Sequence, residues 1–77
     1  MTNLHAGMLW YWGGQKEMAK EGDILAAIIH YKQKYPSSVP NAVYLHPSQI
    51  GEIYSVGGLP VRPDKNIIKG NLLVAVA

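Results

Sequence analysis

His5, His30 and His46 are the softest ligands in a 77-residue chain that has no cysteine. Thiolate chemistry and disulfides are therefore absent, and a zinc site would need these histidines together with Asp or Glu. Their placement argues against such a site. One lies near the N-terminus, one on a helical segment and one at a strand end, with no i, i+4 pair to pre-form it. We expect no metal and no other cofactor. His46 raises a second chemistry, because a catalytic histidine needs a nucleophile or an orienting carboxylate within hydrogen-bond reach. Ser48 and Glu52 follow it closely, but no nucleophile elbow or oxyanion-hole motif accompanies them. A small enzyme or metal site around His46 stays an alternative. The plainer reading is structural: Pro47 holds His46 extended, and the ring can accept a hydrogen bond from the following helix, which Ser48 is expected to cap. We assign no catalytic residue.

Two further groups could bind rather than react. Trp10, Tyr11 and Trp12 could stack on bases or sugars, although an aromatic run in a small core more often supplies buried area. Lys16, Lys20, Lys32 and Lys34 could meet phosphates, which makes a weak nucleic-acid-binding module the second alternative. Glu17, Glu21 and Asp23 interrupt that side, and a formal net charge of +2 gives a weak field despite the pI of 9.0. Neither "GG" pair belongs to a phosphate-binding loop, since no Gly-Lys-Ser/Thr or GxGxxG pattern follows.

These residues must be positioned by a small core. At 48% apolar and 16% charged, the chain is globular and reads as one α+β domain, 1–77. The start "MTNLHAGMLWYWGG" lacks the basic opening and apolar run of a signal peptide, and "LLVAVA" is too short to span a bilayer. The expectation is a soluble, cytoplasmic protein with no membrane partner. "GMLWYW" (7–12), bounded by glycines, reads as a strand. From Gln15 to Tyr35 the period becomes helical. Ile24, Ile28, Tyr31 and Tyr35 form the apolar side, Leu25 and Ile29 lie beside them, and Lys16, Lys20, Asp23, His30 and Lys34 oppose them. Gly22 marks a candidate break with Asp23 as a cap, and Pro36 ends the helix. "AVYLH" alternates as a strand, Pro47 opens a short helix over 48–54, and Gly57-Gly58 closes it. "LPVR" (59–62) is a strand whose proline argues for an edge, and "LLVAVA" is the last strand.

The order β–α–β–short α–β–β predicts a single layer of about four mixed strands with one main amphipathic helix on one face. The first two strands should be parallel through a right-handed crossover, and the last two are close enough to pair antiparallel. One helix covers one face. We assign to it Met8, Trp10, Trp12, Val43, Leu45, Leu59, Val61, Leu72, Val74 and Val76. The other face then carries Leu9, Tyr11, Tyr44, His46, Arg62, Leu73 and Ala75, too apolar to be left in water. A second copy of the chain is the simplest cover, and the mixture of aromatic, Arg and aliphatic side chains suits an interface. Tyr11, Tyr44, His46, Arg62 and Leu73 are the expected interface residues. The competing reading is a monomer in which the short helix and the N-terminal residues hide that face.

Residues 40–77, "PNAVYLHPSQIGEI…GGLPVRPDKNIIKGNLLVAV", resemble a recurring segment of tailed-phage major capsid proteins. A Pro-introduced strand ends in a proline that starts a short helix, then come a Gly-hydrophobic-Pro-Val strand and a Gly-led closing strand. Pro40, Asn41, Pro47, Gly58, Pro60, Val61 and Gly70 carry the pattern. The chain is far too short for a shell subunit and lacks the long backbone helix and extended arm of that family. The front half looks more like small uncharacterised bacterial proteins in which a strand and a Tyr-rich helix precede such a segment. The resemblance implies the fold and a phage or mobile-element origin, not a capsid function. The leading expectation is a small non-enzymatic protein acting through self-association or protein–protein interaction.

Overall fold

A computed structural model describes residues 7–14 and 17–76. Its elements are β1 (Gly7–Tyr11), α1 (Glu21–Lys34), β2 (Ala42–Leu45), α2 (Pro47–Ile50), β3 (Ser55–Val56), β4 (Leu59–Pro63) and β5 (Asn71–Ala75). The α+β architecture is one mixed five-stranded sheet, ordered β1-β5-β2-β4-β3, with α1 on one face. The described chain is 19 Å through its thinnest direction, which leaves room for a helix layer on a sheet layer and no third layer.

The strand pairing departs from expectation, and a short strand joins the roughly four expected. β3, a fifth strand of two residues, forms where the short helix should have continued, because that helix stops at Ile50. Gly51 sits at φ 57° there, in the left-handed region that ends a helix at least cost to glycine. β1 and β2 run parallel, since both pair antiparallel with β5, but β5 lies between them. β4 and β5, expected to pair, are separated by β2, which pairs parallel with β4. The most apolar strand takes an interior place between β1 and β2: Leu72 to Ala75 are all buried, so β5 needs a neighbour on each side. β4 is not the edge strand its proline suggested. Pro60 instead sits opposite Ser55 of β3, and the adjacent Val61 amide donates to the Tyr54 carbonyl at 2.9 Å.

The helix begins later than its periodicity suggests. Glu17 to Lys20 are not helical, and Lys20 is the N-cap. The Asp23 carboxylate accepts the Lys20 amide at 3.1 Å while the Asp23 amide donates back to the Lys20 carbonyl at 3.0 Å. Gly22 therefore lies in the first turn and breaks nothing. Acidic Glu21 and Asp23 at the start and basic Lys32 and Lys34 at the end both favour the helix dipole. At the other end Tyr35 is the C-cap ahead of Pro36, and the Tyr31 hydroxyl meets the Ser38 hydroxyl at 2.6 Å, tying the last turn to the loop.

Ile24, Ala27, Ile28 and Tyr31 of α1 pack on Val43, Leu45, Val61, Leu72 and Val74. Met8, Trp10, Trp12, Leu59 and Val76 complete the rim, so all ten residues assigned to the helix-covered face are found in that core. Leu25, Ile29 and Tyr35, which the periodicity put on or beside the apolar side, remain substantially exposed. The short helix does not hide the second face. Its Ile50, with Ile53 after it, packs into the same core as α1. Among the described residues, no helix is long and apolar enough to cross a membrane.

Candidate interaction surface

Side chains alternate along each strand, so the register fixes which residues share the face away from α1. Leu9 lies opposite Leu73, Leu73 opposite Tyr44, and Tyr44 opposite Arg62. The four make one row across four strands, with neighbouring Cβ atoms roughly 5 Å apart. Tyr11 stands beside the row, opposite Asn71. This face is covered unevenly. Between β4 and β5 the chain turns at Asp64, whose carboxylate accepts the Asn66 amide at 2.9 Å. That turn lays Ile67 against Leu73, Ala75 and Tyr44, a small second apolar cluster. Leu73 is thereby reduced to 9% exposure, but Leu9 keeps 57%, Tyr11 62% and Ile68 71%.

Four of the five expected interface residues thus share one face: Tyr11, Tyr44, Arg62 and Leu73. The fifth, His46, belongs to a corner. Its Nδ1 accepts the Ser48 amide at 3.1 Å and lies 2.8 Å from the Ser48 hydroxyl, so His46, not Ser48, caps α2. Glu52 lines a shallow depression with Glu21, Ile53, Tyr54 and Ser55, and no hydrogen bond joins it to His46. His30 is exposed on α1, as the periodicity places it. Its ring lies 4.6 Å from that of Trp10, over the β1 edge of the sheet. His5 falls outside the described residues. Among those described, no three His, Asp or Glu side chains gather where an ion could bind.

The binding groups are also dispersed. Strand alternation turns Trp10 and Trp12 toward α1 and Tyr11 away from it, so the three rings form no common platform. Lys20 is at one end of α1 and Lys32 and Lys34 at the other, roughly 18 Å along the axis. The Lys34 ammonium lies 5.6 Å from the Tyr35 ring, and Lys16 is outside the described residues.

One residue with a clear task carries no sequence signal. Gln49 is 2% exposed, and its amide nitrogen donates to the carbonyls of Gly14 and Glu17 (3.0 Å to the latter). Its side-chain oxygen accepts the Gly70 amide at 2.9 Å, and its carbonyl accepts the Ala19 amide at 2.9 Å. It ties α2, the segment before α1 and the turn before β5 together. A glutamine in a short polar helix gives no hint of this, because its partners are backbone groups far away in sequence. Ile67, between turn residues in "PDKNIIKG", was hidden for a similar reason. Compared with known proteins, the chain matches no family model, no curated protein and no solved structure.

Proposed function

We propose that the chain is a small non-enzymatic protein that acts through self-association as a homodimer, with the sheet face away from α1 as its contact surface. The observation that supports this is the exposure of Leu9 and Tyr11 beside Tyr44 and Arg62, on a face where Ile67 shields only the centre. Aromatic, Arg and aliphatic side chains with few acidic ones are the composition of interface cores. A chain of 77 residues without cysteine also gains from association what it cannot gain from disulfides. We place it in the cytoplasm on its sequence alone, and a phage or mobile-element origin rests on the resemblance of residues 40–77.

Nucleic-acid binding is the weaker reading, because the lysines divide between the two ends of α1. An enzyme around His46 is weaker still, since Nδ1 is engaged in the cap. Static light scattering from micromolar to millimolar concentration tests the proposal. The mass should rise with concentration, and Tyr11→Ser should delay the rise. A monomer mass throughout that range overturns it.

A further inference from the structure

We infer that two copies join edge to edge through β1, in an antiparallel pair centred on Leu9, so that the sheet continues from one copy into the other. The inference rests on the self-association reading alone, and it places the contact at the β1 border of the open face, at Leu9 and Tyr11, not at Tyr44 and Arg62. β1 is an edge strand that pairs with β5 alone among the described residues. The phase of its hydrogen bonds follows from two contacts. The Trp12 amide donates to the Gly70 carbonyl at 2.8 Å, and the Asn41 amide to the Ala75 carbonyl at 2.8 Å. In β5, then, the backbone groups of 70, 72 and 74 turn toward β1 and those of 71, 73 and 75 toward β2. With Met8 opposite Val74 and Trp10 opposite Leu72, the groups of Met8, Trp10 and Trp12 face β5. The amides and carbonyls of Gly7, Leu9 and Tyr11 face outward.

Those three outward residues can pair about a two-fold axis at Leu9, and the lack of charge or proline along the strand leaves the edge open to a second copy. A two-fold pairing there puts Leu9 against Leu9 of the second copy and Gly7 against Tyr11, forming about six hydrogen bonds. It also sets Met8 beside Trp10 and a tyrosine ring over a glycine, both favourable cross-strand pairings. No charged residue lies in 7–14, so two chains of net charge +2 approach here without like charges meeting. The devices that usually protect an edge, a charge or a proline, are missing from β1. The other edge, β3, is only two residues long and cannot serve in the same way. A five-residue strand spans about 17 Å, so the edge alone buries less than the roughly 800 Å² per partner of a permanent dimer. The association is therefore reversible and concentration-dependent.

Amide hydrogen exchange on the full chain, followed by NMR from micromolar to millimolar concentration beside light scattering, reads this geometry. We expect the Leu9 and Tyr11 amides to slow at least tenfold as the dimer forms. Leu9→Pro should hold the chain monomeric while leaving it folded, because the Leu9 amide bonds nothing in β5. Arg62→Glu, three strands away, should leave the dimer unchanged. A dimer in which these amides keep their monomer rates, and which Arg62→Glu dissociates, retains self-association through the face but overturns the edge pairing. A monomer at every concentration overturns both.

Discussion

The two faces of the sheet are built from alternate residues of the same strands, yet they have different fates. Leu72 and Leu73 are neighbours in β5 and point to opposite sides. Leu72 is fully buried beneath α1, whereas Leu73 relies on Ile67 from a turn. On the helix side, fourteen residues of α1 cover the middle strands and the aromatics of β1 close the rim. On the other side, among the described residues, Ile67 alone covers the centre, while Leu9 and Tyr11 stay exposed. The difference teaches that hydrophobicity assigns residues to a face, while the covering is decided by which segment has the length and stiffness to lie across it.

The difference can be tested by truncating leucines of identical chemistry. Leu72→Ala should cost the most, about 3–5 kcal/mol, since nothing beneath α1 can refill the space. Urea denaturation measures it, and a loss under 1 kcal/mol would break the comparison. Gln49→Leu strands two carbonyls and an amide at the end of the covered layer, and about 3 kcal/mol should be lost by the same assay. Leu73→Ala belongs in between, at about 1–2 kcal/mol, because its cover is one side chain. Gly22→Ala should sharpen the contrast in the opposite sense. The position is in the first turn of the covering helix with open space around it, so alanine should stabilise by about 0.5–1 kcal/mol. Leu9→Ala, measured in dilute monomer, should change stability by less than about 0.5 kcal/mol. Its effect should appear only where chains associate.

Much of the covered face was legible. Strand alternation and the apolar stripe of α1 are local properties, so the ten residues beneath the helix could be assigned from spacing alone. Strand order was not. That β5 inserts between β1 and β2 depends on which strand is most apolar on both faces, a comparison across the whole chain that no local pattern states. Helix ends were half legible. Pro36 fixes one end sterically, while Lys20 is a poor cap by type and serves only because Asp23 reaches back to its amide. On the face away from α1, Tyr11, Tyr44, Arg62 and Leu73 were placed together by alternation, since period two continues through a strand. His46 was not, because β2 had already ended and its ring turned to the helix it caps.

The central claim is that a second copy of the chain completes the open face at its β1 edge. Sedimentation equilibrium of the unmodified 8.5 kDa chain tests this most directly. We expect the weight-average mass to climb from the monomer value toward twice that value between micromolar and millimolar concentration, and to stop there because a two-fold pairing closes. A mass fixed at 8.5 kDa across that range would contradict it.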